Sequence, residues 1–215
     1  MNQNEEYTKV LIDSDFFNHF TESNPDGELF LEFMEANKFK PLFHQFVYEK
    51  ELPFSKTANK LVKSGKIEIL QFEDIILNDI YENLYQNDFN SLYKRLNQKK
   101  LPKGATYKAY HASKQNLGEI HSTIAASFLG IQYIMSNDNK AKNILNNYAE
   151  TSGQNIKIYS IAEFLTHTVK TVGTLGYSFK KIRKKFKTSA LNNKKGENYA
   201  KLKDSWTEAV HNESE

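Results

Sequence analysis

The alternation of helix and strand is clearest in Asn116-Leu-Gly-Glu-Ile-His-Ser-Thr-Ile-Ala-Ala-Ser-Phe-Leu-Gly-Ile-Gln-Tyr-Ile-Met-Ser-Asn-Asp138. Its spacing predicts a helix over 117–129, which Gly130 ends, followed by a buried strand over 131–135. Polar residues come directly after that strand, and the last of them is Asp138. A helix that leads into a short apolar strand is the repeating unit of α/β folds with parallel sheets.

Three further apolar runs, at 7–13, 66–70 and 155–159, predict strands of the same kind. Strands that alternate with helices predict an α/β fold with a central, mostly parallel sheet and right-handed crossovers. Amphipathic spacing predicts the helices over 27–37, 40–52, 55–63, 73–99 and 140–148, and a capping-box pattern opens another at Ser160 to Glu163.

The composition is that of an ordinary globular protein, with 215 residues of which 39% are hydrophobic and 26% are charged. The chain contains no cysteine, which excludes disulfides, thiolate zinc sites and a cysteine nucleophile. No apolar run approaches the roughly 20 residues that span a bilayer, and the first residues lack the features of a signal peptide. We therefore expect a cytoplasmic protein without a membrane partner.

The net charge of +3 hides an uneven distribution along the chain. Between Lys180 and Lys203 there are ten basic residues and a single acid, Glu197, which leaves 19 basic and 25 acidic residues elsewhere. A mildly acidic body with a basic C-terminal segment indicates an anionic partner, although a lysine-rich segment can also be merely solvated.

Carboxylates stand at the ends of two predicted strands, with Asp13 and Asp15 after the first and Asp138 after the strand at 131–135. Ligands of open parallel sheets bind beyond the carboxyl ends of the strands. Crowded carboxylates repel one another unless a cation compensates them, and hard oxygen ligands suit Mg²⁺ or Mn²⁺. The alternative is that each aspartate only caps the helix that follows its strand.

Glu119 has two interpretations of similar weight. Asn116 and Glu119 match a capping box, in which the glutamate bonds back to the cap. In the functional interpretation Glu119 lies in the first helical turn facing the strand ends, and Gly118 permits close approach there. His121 lies two positions further along the helix and is expected to point elsewhere, as a structural residue.

The segment from Asn116 to Asp138 resembles the central part of PIN-domain nucleases, in which an acid opens a small-residue helix and the next strand ends in Ser/Thr-x-Asp. Val10-Leu-Ile-Asp13 resembles the first strand of that family and its leading aspartate. The resemblance implies a three-layer α/β/α sandwich over residues 1–175. A helical insertion around 73–112 and a basic, helical C-terminal tail at 176–215 lie outside the shared pattern.

By that resemblance Asp13, Glu119 and Asp138 would be the core metal-binding and catalytic carboxylates of a ribonuclease, with Ser136 supporting them. Asp15 would be a further metal-binding residue, as would Glu49, the best match to the family's further acid, with Glu51 a weaker match. The implied reaction is phosphodiester hydrolysis, in which Mg²⁺ or Mn²⁺ activates a water molecule. RNA or DNA would be bound through its phosphates by Lys180, Lys181, Arg183, Lys184, Lys185 and Lys187.

Two other functions remain open at this stage. Asp13-Ser-Asp15 also fits the Asp-x-Asp motif of haloacid-dehalogenase-like phosphatases, in which the first aspartate is the nucleophile. Phe16 and Phe17 depart from that family's pattern, and Glu119 would have no role in it. The third hypothesis is a non-catalytic PIN-like module that binds nucleic acid or a protein partner, and the sequence leaves open whether the chain forms a homo-oligomer.

Overall fold

The computed structural model describes residues 7–22, 24–110, 116–186 and 197–212. Its five strands form one sheet in the order β3-β2-β1-β4-β5, and every pair of neighbours is parallel. The predicted α/β fold is therefore confirmed, and the described sheet is parallel throughout. The strands are β1 (Thr8–Ile12), β2 (Phe39–His44), β3 (Glu68–Leu70), β4 (Tyr133–Met135) and β5 (Lys157–Tyr159).

Helices cover both faces of the sheet, an arrangement consistent with three layers. A short π-helical turn, Val47–Glu51, follows β2. None of the described helices has the length and apolar character needed to cross a membrane. One face carries α1 (Ser14–Thr21), α2 (Glu28–Ala36), α3 (Lys56–Lys63), α8 (Ile161–Thr171), α9 (Phe179–Lys185) and α10 (Glu197–Asn212), and the other carries α4 (Phe72–Ile75), α5 (Asp79–Asn97), α6 (Leu117–Leu129) and α7 (Asn139–Thr151).

The order in which the strands are added changes at β1. The chain first adds β2 and β3 on one side of β1, then crosses to the other side and adds β4 and β5. The helix that follows β1 packs on one face of the sheet, whereas the helix that follows β4 packs on the other. A crevice therefore opens between the carboxyl ends of β1 and β4, which is where open α/β sheets bind their ligands.

Strand β1 is the centre of the core. Val10 and Ile12 belong to the apolar cluster on one face and Leu11 to the cluster on the other, and all three are fully buried. Burial of each such side chain contributes about 1.5–3 kcal/mol. A set of phenylalanine rings from four elements packs edge to face on the first of these faces, namely Phe16, Phe17, Phe20, Phe30, Phe43 and Phe164.

The helix predicted over 40–52 is wrong in its first half, because residues 39–44 form β2. Leu42 and Phe43 are buried on opposite faces of the sheet, so their adjacent positions reflect a two-sided strand and not a helical stripe. Pro41 fits this strand, since the pairing with β3 begins only at Leu42 and the missing N–H of Pro41 is not needed on that side.

Most of the other predicted helices are confirmed, with changed limits. Ser55 caps α3 by accepting the N–H of Ala58, and Ser160 and Glu163 form the predicted capping box of α8. The region predicted as a helical insertion at 73–112 forms α4 and α5 and is irregular from residue 98 to residue 110. Residues 111–115 lie outside the described ranges.

The C-terminal segment is part of the core. Ile182 and Phe186 of the α9 region, with Leu202 and Trp206 of α10, belong to the same apolar cluster as Val10. The Phe186 ring packs on Phe20 with centroids 4.8 Å apart. The helices at 179–185 and 197–212 therefore complete the helical layer that covers this face of the sheet.

Two buried histidines are linked through Tyr85 on the other face. The backbone N–H of Phe46 donates to His44 Nδ1 at 3.0 Å, so the neutral His44 ring carries its proton on Nε2 and donates to Tyr85 Oη at 3.3 Å. Tyr85 Oη then donates to His121 Nδ1 at 2.8 Å. His121 is fully buried, which agrees with the structural role expected for it. Its Nε2 has no hydrogen-bond partner among the described residues.

We predict that this pair makes the fold sensitive to acid. Burial lowers the pKa of His44 from 6.5 to about 3, and burial together with the neighbouring His44 lowers the pKa of His121. The histidines are therefore easier to protonate in the unfolded chain, and their contribution to stability is lost as the pH falls from about 6.5 towards 3. In urea unfolding between pH 7 and pH 4, His44→Gln should remove up to about 1.4 kcal/mol per pH unit of this dependence. An unchanged pH dependence in that variant would contradict the assignment.

Candidate functional site

The candidate site lies in the crevice between the carboxyl ends of β1 and β4. The N–H of Asp13 donates to the carbonyl of Met135 at 2.9 Å, which fixes the backbone of the first aspartate beside the end of β4. Asp15 Oδ1 accepts the N–H of Asn137 at 3.2 Å and joins the two loops. The phosphatase hypothesis needs Asp15 as an acid or base, whereas this bond gives its carboxylate a structural role.

Asp13 is the central residue of the site. It is only 2% exposed, and although it occupies the N-cap position of α1, its side chain makes no capping bond to that helix. Its Oδ1 is buried without a hydrogen-bond partner among the described residues. Burial raises the pKa of Asp13 well above its usual range, and the negative charges of Glu119, Glu51 and Asp15 raise it further.

Gly118, at the start of α6, is where two of the carboxylates meet. A Cβ atom at this position would lie 2.6 Å from Glu51 Oε2 and 2.8 Å from Asp13 Oδ1. The two oxygens are therefore no more than about 5.4 Å apart, the sum of those distances. The N–H of Gly118 donates to Glu51 Oε1 at 3.1 Å. The close approach expected at Gly118 is present, since only glycine leaves room for both carboxylates.

Glu119 turns into the same crevice and is 8% exposed. Burial raises the pKa of Glu119 to about 8, and the carboxylates of Glu51, Asp15 and Asp138 add to the rise, whereas its own backbone N–H opposes it. Asn116 makes no side-chain capping bond, so the predicted capping box with Glu119 does not form. The carboxylate of Glu119 is thus available to the site.

Asp138 combines the two interpretations considered for it. Its Oδ1 accepts the N–H of Ala141 at 3.0 Å, so it does cap α7, and it is half-buried at the rim of the cluster. Ser136 is buried, and its Oγ accepts the N–H of Asp138 at 3.4 Å. Ser136 therefore holds the loop that carries Asp138.

The further acid of the site is Glu51 and not Glu49. Glu49 is exposed and its carboxylate accepts a hydrogen bond from Gln45 at 2.9 Å, away from the other acids. The preference for Glu49 is therefore wrong. Glu51 ends the π-helical turn, and although the residue as a whole is exposed, its carboxylate is bound by the N–H of Gly118 and the hydroxyl of Ser14. Ser14 is a site residue that the sequence analysis did not find.

The cluster is electrostatically uncompensated. Within the described ranges, no lysine or arginine forms an ion pair with Asp13, Asp15, Glu51 or Glu119. Burial raises the pKa of Glu51 as well, and Asp15 adds to the rise. Carboxylates at such short separations repel one another strongly in a buried environment.

The donor set suits a hard divalent cation in its chemistry. The acids offer carboxylate oxygens, of which Oδ1 of Asp13 has no hydrogen-bond partner among the described residues, and the missing side chain at Gly118 lets Glu51 and Asp13 approach each other. In the described part of the chain, however, no three acidic or histidine side chains are already arranged closely enough to hold a metal ion. A coordination shell would therefore form only after side chains of these acids move.

The basic residues predicted to bind nucleic acid lie on α9, on the face of the sheet opposite to α6. Phe186 is buried and Phe179 packs on Trp206, so these rings anchor the helix. Lys187 lies outside the described residues. Lys185 is half-buried, and the exposed members of the predicted set are Lys180, Lys181, Arg183 and Lys184.

We predict that Gly118→Ala destabilises the fold. In an ordinary helix this change stabilises by roughly 0.5–1 kcal/mol, because alanine is the better helix former. Here the added methyl group would lie 2.8 Å from Oδ1 of Asp13, whose short, buried side chain has little room to move, and overpacking costs about 1–3 kcal/mol. The Glu51 oxygens end a flexible side chain and can move away more easily. The free energy of unfolding in urea decides between the two effects. An increase in Gly118→Ala would show that the carboxylates do not lie firmly against Gly118.

We predict that Glu119→Gln stabilises the protein at high pH. The folded-state pKa of about 8 exceeds the ordinary value of 4.5, so the stability that this group confers falls as the pH rises from about 4.5 through 8. With divalent ions chelated, the variant should gain on the order of 2 kcal/mol at pH 8.5 and little at pH 4.5. Glu49→Gln, at an exposed position outside the cluster, is the control and should show no gain. A loss of stability at pH 8.5 in Glu119→Gln would indicate that a cation already pairs with the carboxylate.

Comparison with protein-family models, with curated proteins and with solved structures gives no match for this chain. The site therefore stands on its own geometry. That geometry consists of a buried aspartate at the switch point of a parallel sheet, whose Oδ1 has no hydrogen-bond partner among the described residues, with three further acids around it and one at the rim.

Proposed function

We propose that the protein is a metal-dependent phosphodiesterase, most specifically a ribonuclease of PIN-like type. The observation that carries the proposal is Asp13, a buried carboxylate whose Oδ1 lacks a hydrogen-bond partner among the described residues. Leaving such a group unsatisfied costs stability unless a ligand completes it. Because the ionisable side chains beside it in the described ranges are the acids Asp15, Glu51 and Glu119, the ligand that fits is a cation.

The residues that would hold the cation are Asp13, Glu51 and Glu119, with Asp138 at the rim. Asp15 and Ser136 would position the site without binding the cation, because their side chains accept hydrogen bonds from the backbone of the loop after β4. Mg²⁺ or Mn²⁺ is the chemically matched ion, since an all-oxygen carboxylate set suits hard cations. When bound, such an ion supplies an activated water and stabilises negative charge on a phosphate.

The fold supports the same reaction class. The acids lie at the switch point between β1 and β4, the usual position of ligands in open parallel sheets. The amino terminus of α6 points at them, and its partial positive charge favours anions there. The order of elements from the acid-opened helix α6 to the Ser-x-Asp segment after β4 is also the order found in PIN domains.

We predict that Asp13→Asn lowers metal-dependent cleavage of single-stranded RNA by more than about 100-fold, with the same loss in Asp138→Asn. Asparagine keeps an oxygen that can still cap α7 at position 138, so the fold should be retained. Glu51→Gln and Glu49→Gln form a matched pair two residues apart. The first should lose cleavage and the second should keep it.

The outcomes separate the remaining hypotheses. Full cleavage in both aspartate variants would refute the proposed site. A calorimetric titration with Mn²⁺ that gives no heat, together with intact RNA binding, would favour the non-catalytic module. Phosphate transferred to Asp13 and trapped with a phosphate mimic would favour the phosphatase.

A further inference from the structure

Phe54 is the most exposed large apolar side chain in the described part of the chain, with 94% of its surface accessible. It lies in the short loop between the π-helical turn and α3, next to Pro53, which is exposed too. An isolated apolar ring in water has no role in folding. A single exposed apolar side chain is ordinary on a protein surface, so the ring becomes significant only together with the charges beside it.

The loop that carries Phe54 is firmly held. Leu52, two residues before the ring, is buried. Its carbonyl accepts the N–H of Ser55, the residue after the ring, at 3.0 Å. Asn59 donates to the carbonyl of Pro53 at 3.4 Å and accepts a hydrogen bond from Tyr48 at 2.7 Å. The ring is thus presented on an ordered support, which lowers the entropy lost on binding.

A stripe of lysines begins two residues after the ring. Lys56, Lys60 and Lys63 are spaced four and three residues apart on α3, so they share one face of the helix, about 10 Å long. All three are exposed, whereas Thr57, Ala58 and Leu61 are buried on the opposite side. None of the three lysines forms an ion pair within the described residues.

Part of this arrangement works against the stability of the helix, whereas Lys60 and Lys63 lie in the last turn, where the helix dipole favours cations. Lysines three and four positions apart repel one another, and a lysine in the first turn opposes the helix dipole. No acid stands in the first turn of α3 to offset them. Local rules are broken in this way mainly at functional sites.

The ring and the stripe lie close to the acidic cluster. Glu51, whose carboxylate lies against Gly118, is only three residues from Phe54, so their Cα atoms are separated by no more than about 10 Å. A polyanion held near an acidic cluster is repelled by it unless cations flank the site. The nearest exposed cations along the chain are Lys50 and Lys56.

We propose that Phe54 and the stripe Lys56, Lys60 and Lys63 form the binding strip for a single-stranded nucleic acid. The lysines neutralise successive phosphates, and the ring stacks on an unpaired base. An exposed face of a ring can stack only on a base that is not already paired and stacked in a duplex, which selects single strands. The inference rests on the proposed hydrolysis and identifies the substrate class that reaches the acidic site.

The basic helix α9 is not flanked by phenylalanine rings that are free to stack on bases. Its flanking rings, Phe179 and Phe186, pack on Trp206 and Phe20 and so are not free to stack on bases. The strip on α3 therefore displaces α9 as the surface on which a single strand is recognised.

The test measures binding separately from cleavage, with Asp13→Asn as the parent and the divalent ions chelated. Labelled oligouridine and oligothymidine are titrated by fluorescence anisotropy over a series of salt concentrations, alongside a duplex of mixed sequence. Replacing Lys56, Lys60 and Lys63 by glutamine should reduce the slope of log affinity against log salt by about 2. The fold should remain intact, because the change removes repulsion within α3.

Phe54→Ala should weaken binding of the single strands by roughly 10-fold, with the salt slope unchanged, because stacking is not ionic. Phe54→Trp should restore the affinity. Leu77→Ala is the matched control, since Leu77 is 70% exposed but belongs to the segment between α4 and α5. The control should bind like the parent. Equal binding of oligouridine and oligothymidine is consistent with the strip, because base stacking and phosphate contacts do not distinguish RNA from DNA.

A second control replaces Lys180, Lys181 and Lys184 by glutamine, which removes the same charge from α9. If this triple variant lowers the slope as much as the α3 variant does, binding reflects net charge and the proposed strip is wrong. Parent affinity in Phe54→Ala, or a duplex bound as tightly as the single strands, would also overturn it.

The two proposals fail in different ways. If the Phe54 and α3 lysine variants bind and cleave RNA as well as the wild-type protein does, the proposed nuclease stands and the proposed strip is wrong. If binding depends on the strip but no metal-dependent cleavage is found, the proposed strip stands and the proposed nuclease is wrong.

Discussion

The position of Asp13 is imposed by the sheet. Its N–H donates to the end of β4 and its carbonyl accepts the N–H of Phe17 in α1, so the backbone on both sides of the residue is tied down. The preceding residues of β1 are buried on both faces, and the strand cannot slide without exposing them. The carboxylate therefore remains buried beside Gly118, where Glu51 and Glu119 also point. Everything proposed for the site follows from this forced proximity of like charges.

The rest of the core supports this unfavourable site. Phe16 and Phe17 follow Asp13 directly, and both are fully buried in the ring cluster that α1 forms with Phe43 and Phe164. Ion pairs within the described residues lie elsewhere, as in Lys142 with Glu163 beside β5. A fold selected only for stability would replace one of the central acids with a neutral residue, because a buried charge without a partner is costly. The arrangement is therefore characteristic of a site built for a charged ligand.

The two charge patterns proposed to act together are joined by one short segment of chain. Glu51 contributes its carboxylate to the crevice, and the chain from Leu52 to Ser55 leads directly into the lysine stripe of α3. A negative centre that attracts a cation repels a polyanion, and a positive strip beside it reverses that effect at short range. The exposed ring between them adds an interaction that salt does not screen. In the proposed function, the strip would attract a single strand and the acidic cluster would carry out the chemistry on it.

The sequence by itself determined the α/β class, the ends of β1 and β4, helix α6, and the caps at Ser55 and Ser160, because these depend on spacing and on hydrogen bonds within a few residues. It also indicated Asp13, Glu119 and Asp138, since acids at strand ends follow from local pattern alone. Only the tertiary structure decided whether the chain at Phe39–His44 is strand or helix, because a strand buried on both faces has no periodicity of its own. Likewise, only the tertiary structure showed that Glu51, and not Glu49, lies against the other acids. It depends on the π-helical turn and on Gly118, which is 67 positions away along the chain and in contact only after folding.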